Sequence, residues 1–256
     1  MTRAVLDVYA ALIGLVVGSF LNAVIHRVPR GQSLVRPGSR CPWCGSPIRV
    51  RDNLPLVSFL LLRGRCRQCS APIAWRYPLV ELVTAAAFVV CAERFGPRLE
   101  AAAAATFLAF LLALAAIDVE HFLLPDSLTF PGMAAGLALQ PWIPGVTLIE
   151  ALAGVLVGAG LLFLIAEGWA WLRQEEGMGL GDAKLLAMVG AFLGWKGVLI
   201  TLFLGCLAGS LVGIALLVTA RGGAKTRLPF GAFLALGAAA TLFWGTAALD
   251  RYLRLL

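Results

Sequence analysis

The chain alternates between long apolar runs and short polar breaks, and one polar stretch is far longer than the rest. The apolar runs fall at residues 4–25, 78–91, 101–117, 128–142, 148–172, 183–195, 198–220 and 229–249. A helix of about 17–25 mostly apolar residues crosses a hydrocarbon core. The pattern therefore predicts an all-α polytopic membrane protein of about eight transmembrane helices, several of them short or interrupted by Gly and Pro. Residues 26–77, rich in Arg, Pro and Gly and carrying four cysteines, form the exception. The expected organisation is a first transmembrane helix at 1–25, a loop domain at 26–77 and a multi-helix transmembrane domain at 78–256. The first run has only Arg3 upstream and no small-residue cleavage site, so it reads as a retained span and not as a signal peptide.

Composition agrees. Charged residues make up 14% of the chain and hydrophobic ones 60%, with a mean hydropathy of +0.88, whereas soluble domains carry about a quarter charged residues. The net charge of +7 raises the question of nucleic acid, but the distribution points to a lipid bilayer instead. Ten of the 21 basic residues lie between Arg27 and Arg76, where Asp52 is the sole acid. An arginine-rich loop between spans is what the positive-inside rule describes, so no nucleic-acid partner is expected. With the amino terminus outside, the inner side receives 15 basic residues and the outer side six. That orientation puts Asp118 and Asp182 at one face, the cytoplasmic one.

Within the polar segment, Cys41-Pro42-Trp43-Cys44 and Cys66-Arg67-Gln68-Cys69 are two C-x2-C pairs separated by 21 residues. Four thiolates at such a spacing close a tetrahedral zinc site. The competing readings are two local disulfides or four unpaired thiols, and a reducing cytoplasm disfavours the disulfides. A polar segment this short has little core of its own, so a metal staple would supply what packing lacks. Cys41, Cys44, Cys66 and Cys69 are thus expected to hold structural zinc in a small, zinc-ribbon-like loop domain. Four cysteines leave no open position for catalysis. Cys91 and Cys206 lie in apolar runs and read as buried small hydrophobes.

Two carboxylates carry the candidate chemistry. Gly177-Met178-Gly179-Leu180-Gly181-Asp182-Ala183-Lys184 sets an ionisable group at the mouth of an apolar run behind three alternating glycines. Glycine allows turns and close approaches that other residues do not, and an acid at the membrane edge is a functional-site candidate by default. Asp118 ends the third run, with Glu120, His121 and Asp126 expected in the loop that follows; Asp126 alone reads as a helix cap or an interfacial charge. Two carboxylates sharing a site hold one proton between them. The ionised member can then activate water while the protonated one polarises a carbonyl, which is aspartic-protease chemistry. Glu81 and Glu167, also within apolar runs, could instead line a transport path. The residues by themselves leave protease and transporter both open.

The motifs, in their order and spacing, resemble the bacterial type IV prepilin peptidases. The similarity begins at Gly18-Ser19-Phe20-Leu21-Asn22 with Arg27 and Pro29 and runs through both cysteine pairs. It continues through Asn53-Leu54-Pro55-Leu56-Val57-Ser58, Leu62-Arg63-Gly64-Arg65-Cys66 and Tyr77-Pro78 with Glu81-Leu82. Ile117-Asp118, Leu124-Pro125-Asp126 and Gly179-Leu180-Gly181-Asp182, the GxGD signature of intramembrane aspartyl proteases, follow. Pro229-Phe230-Gly231 also fits, although Ala232 stands where the family often has Pro. The resemblance implies that Asp118 and Asp182 are catalytic and cut the leader from prepilin or pseudopilin precursors after a glycine. It further implies N-methylation of the new amino terminus from S-adenosylmethionine, since a cysteine-bearing loop is typical of bifunctional members. A protease without methyl transfer is the nearest alternative. No G-x-G-x-x-G in a βαβ context marks the methyl-donor site; Glu81 is the candidate, with pairing to a nearby Arg as its plainer explanation. The location implied is the bacterial inner membrane, with the active site facing the cytoplasm.

Overall fold

The structure, a computed structural model, describes residues 2–36, 38–143, 145–173, 179–219 and 228–245. The helices are α1 (Arg3–Arg27), the short α2 (Val57–Leu61), α3 (Arg76–Phe95), α4 (Leu99–His121), α5 (Asp126–Leu139), α6 (Leu148–Arg173), α7 (Leu180–Val218) and α8 (Phe230–Ala240). Inside α7, Gly194 has φ 67° and ψ 179°, which breaks the helix into two segments. Glycine tolerates this conformation where other residues are strained. Counting α7 as two, every expected apolar run has its helical segment among the described residues. Among the described residues, four helices are long and apolar enough to cross a membrane: α1 with the turn after it, α4, α6 and α7. No strand occurs among the described residues, only two isolated bridges, Arg40 with Pro47 and Arg65 with Pro72. The chain is an all-α polytopic membrane protein. Gly177 and Met178, the basic loop 221–227 and the expected end of the last run at Leu249 lie outside the described residues.

The chain divides into two compact units, Met1–Ala113 and Leu114–Leu256, with the boundary inside α4. In the first, α1 packs on α3 through small residues: a Cβ on Gly14 would fall 2.6 Å from Ala85 Cα, and one on Gly18 2.7 Å from Glu81 Cα. The buried Asn22 donates from Nδ2 to the Tyr77 carbonyl at 3.0 Å, tying the ends of the two helices. Cys91 is fully buried on α3, as a small hydrophobe should be.

In the second unit α7 is the central element, packed against α5, α6 and α8. Its first segment supplies much of the core, with Leu185, Leu186, Met188, Val189 and Phe192 all buried. Against α6 the backbones nearly touch, since a Cβ on Gly190 would meet the Gly154 carbonyl at 2.2 Å. Small residues serve this purpose between membrane helices, where lipid removes the hydrophobic drive for association and packing must provide it. Ile149, Leu156 and Val218 remain exposed on outward faces, as a lipid-facing surface requires. Cys206 belongs with them: it is exposed on α7 and not buried as its sequence context suggested.

Candidate active site and candidate metal centre

Asp118 sits one turn before the end of α4 and is 5% exposed. Its Oδ2 accepts the Ala232 backbone N–H at 3.0 Å, and the Gly231 N–H also faces it. These N–H groups lie in the first turn of α8, where a helix has no internal acceptors for them. Pro229, which opens α8, gives no side-chain cap, so Asp118 caps that helix from another part of the chain. Asp182 lies in the first turn of α7, half-buried, with its carboxyl within electrostatic reach of Asp118. The two acids that the sequence placed at one face are thus brought into one site.

Two glycines make the room. A Cβ on Gly181 would come within 3.0 Å of Leu124 Cβ, and one on Gly231 within 2.8 Å of Leu124 Cδ1 and 3.0 Å of Asp118 Oδ2. The buried Leu124 therefore wedges between the glycine before Asp182 and the glycine beside Asp118. Close approach, and not a left-handed backbone, is what Gly181 provides, since it lies in regular helix. The left-handed residue here is Phe122, at φ 52°, whose N–H returns to the Asp118 carbonyl at 2.8 Å and ends α4. An αL conformation on a bulky residue costs about 1–3 kcal/mol. Glu120 and His121 are still in α4 and not in the loop. Asp126 opens α5 but makes no side-chain cap; its carboxylate holds Lys184 Nζ at 2.6 and 2.9 Å. Glu167 is exposed on α6.

The four cysteines form the second cluster. Their Sγ atoms all lie within 4.8 Å of one another, with Cys41 and Cys69 at 3.8 Å. A tetrahedral site with metal–sulfur bonds of about 2.3 Å needs sulfurs about 3.8 Å apart, so the donor set fits. Each pair sits in the same small turn. Cys41 N–H donates to the Ser46 carbonyl at 2.9 Å and Cys66 N–H to that of Ala71 at 2.8 Å. Gly45 N–H returns to the Cys41 carbonyl at 2.9 Å and Ser70 N–H to that of Cys66 at 3.0 Å. Gly45 and Ser70 both adopt positive φ, 69° and 57°. Behind this lies a repeat, Arg40-Cys41-x-x-Cys44-x-x-Pro47-Ile48 and Arg65-Cys66-x-x-Cys69-x-x-Pro72-Ile73, whose self-similarity was available in the sequence.

Hydrogen bonding at the thiols is uneven. The Ser46 hydroxyl and N–H bring the Cys44 thiol down to about 6, and the Cys69 and Gln68 N–H groups lower that of Cys66. Cys69 receives the Ala71 N–H, yet burial and its neighbouring thiols push it up to about 11. Arg67, inside the second pair, grips Asp52 with Nε and a terminal nitrogen at 2.7–3.1 Å. That fork holds the Asp52 carboxyl below its ordinary range. Glu81, 8% exposed on α3, accepts the Leu56 N–H at 2.8 Å and is hydrogen-bonded by Ser19. Leu56 itself has φ 56° at the start of α2, so Glu81 anchors a strained turn of the cysteine segment to the helix pair.

An all-helical, membrane-spanning chain with two carboxylates gathered at helix ends defines the class of polytopic membrane proteins with an aspartyl site. Residues 12–95 match the Bacterial Peptidase A24 N-terminal domain and residues 105–214 the Type IV leader peptidase family. The chain belongs to the type IV leader peptidase family. It is 47% identical over 221 residues to the prepilin leader peptidase/N-methyltransferase of Myxococcus xanthus, covering 86% of this chain and 66% of that protein. It is 42% identical over 265 residues to the protein of that name from Burkholderia pseudomallei, covering 93% and 85%. With the Aeromonas hydrophila protein of the same name the identity is 39% over 266 residues, covering 94% and 92%. No solved structure matches the chain significantly.

Proposed function

We propose that the chain is a membrane-embedded aspartyl endopeptidase that removes the leader from type IV prepilins or pseudopilins at the cytoplasmic face. It then N-methylates the new amino terminus with S-adenosylmethionine. The observation that carries the cleavage reading is the meeting of Asp118 and Asp182 in one site at helix ends. The precursor's basic leader lies at the face of the inner membrane that carries the basic loops, its apolar segment remains in lipid, and the scissile bond falls between. Of two carboxylates sharing one proton, the ionised member takes a proton from water as the water oxygen attacks the carbonyl carbon. The other gives its proton to the carbonyl oxygen. Collapse of the tetrahedral intermediate breaks the C–N bond, and a carboxyl proton passes to the leaving amine.

Residues 26–77 form the loop domain between the first helix, 1–25, and the protease helices, 78–256. Cys41, Cys44, Cys66 and Cys69 would hold zinc there, and the ion would crosslink the two turns without taking part in chemistry. S-adenosylmethionine supplies the methyl group. Glu81, at the junction of α3 and the cysteine segment, is the candidate contact for it, supported by its burial and its hold on Leu56. The name shared by the relatives, prepilin leader peptidase/N-methyltransferase, supports both activities.

Incubating the purified protein in detergent with a prepilin-like substrate, with and without S-adenosylmethionine, and weighing the products tests this reading. Leader loss plus one methyl group is the expected result. No cleavage across several precursors would overturn it. Gly231→Ala puts a methyl group against Asp118 and Leu124, so the same assay should show cleavage slowed at least about tenfold, as misplacement of reacting groups implies.

A further inference from the structure

We propose that Lys184 and Asp126 form a positioning pair that sets the separation of the two aspartates, an inference that rests on the protease reading. Lys184 Nζ holds both carboxylate oxygens of Asp126, at 2.6 and 2.9 Å, and lies 5.6 Å from the Phe130 ring centroid. Asp126 and Phe130 are one turn apart on α5, so Lys184 docks on a single face of that helix's first turn. Lys184 follows Asp182 by two residues on α7, a rotation of about 200° at 3.6 residues per turn. The lysine thus points away from the carboxylate pair and acts on it through the backbone.

What the pair holds is the segment that carries Leu124. Asp118 lies in the last turn of α4, Phe122 reverses the chain, Leu124 wedges against Gly181 and Gly231, and Asp126 starts α5. Leu124 alone would leave this loop attached at one apolar point. The ion pair adds a second point two residues on, so the loop is pinned to the start of α7 on both sides of Asp182. Asp126 is largely exposed, with its side chain 56% accessible, and exposed pairs add little to stability. The cost of losing this one falls on geometry.

A double-mutant cycle with Lys184→Met and Asp126→Asn separates these effects. Each single variant should lower kcat for leader removal about ten- to a hundredfold, in line with the rate lost to small misplacements. KM should stay within about twofold and the melting temperature should hardly move. The double variant should be no slower than the worse single one, because both remove one contact. Lys184→Arg, which keeps the charge, should recover most of the rate. Single variants with wild-type kcat, or losses that multiply in the double variant, would overturn the pair. A parallel fall in melting temperature and kcat would reduce it to a structural contact. Wild-type protein that cleaves nothing would instead sink the protease reading itself, which the wild-type control shows separately.

Discussion

Asp182→Asn and Asp118→Asn should each slow leader removal by at least about a thousandfold, within the range that positioned acid–base groups contribute. Asparagine has nearly the shape of aspartate, and its side-chain carbonyl can still accept the Ala232 N–H that Asp118 now holds. The contact of residue 118 with the start of α8 and insertion into the membrane should therefore survive. What is lost is the ability to take up and release a proton. The decisive readout is a pair of assays on one preparation: mass spectrometry of a full precursor, and methyl transfer to a peptide that already begins at the mature amino terminus. Loss of the first with retention of the second locates the defect at the carboxylates. Cleavage at near-normal rate by either variant would remove that aspartate from the mechanism.

The second large effect is expected at the cysteines. Cys41→Ser with Cys44→Ser leaves two sulfurs of the four, and metal content should fall from about one zinc per chain to near zero. Structural zinc contributes about 10–16 kcal/mol of apparent binding free energy in small metal-dependent domains. Other fastenings of the segment between α1 and α3 are small, among them a Phe59–Trp75 ring contact at 5.1 Å, the Asp52–Arg67 fork and the Leu56 N–H held by Glu81. Losing the ion should open it to protease in detergent while the long helices stay protected. Unchanged zinc stoichiometry in the double variant would refute the metal centre.

Much of this was legible in the chain. Each apolar run became a helical segment because, in lipid, an apolar stretch satisfies its backbone only by coiling on itself. The break in α7 at Gly194 falls beside the gap expected between the runs 183–195 and 198–220. The four cysteines converge as their spacing suggested, and Asp118 and Asp182 meet. The partners of these residues were not legible. Nothing marks Ala232 as a hydrogen-bond donor, since what it offers is a main-chain group freed by the start of a helix, 114 residues from Asp118. Asp126 looked like a cap or an interfacial charge because it stands at a helix end; it is a charge, and its partner is a lysine 58 residues away. Glu81 looked like a ligand contact or the partner of an arginine, and its visible contacts are a backbone N–H of a strained turn and a serine. All three depend on contacts far apart in the chain, which local pattern does not carry.

Ala232 has a consequence of its own. Proline carries no N–H, so a proline at that position would remove the main-chain hydrogen bond to the first aspartate and stiffen the entry to the last helix instead. This chain has that bond as a tether, so its first aspartate and its last helix are coupled, and movement of one draws the other with it.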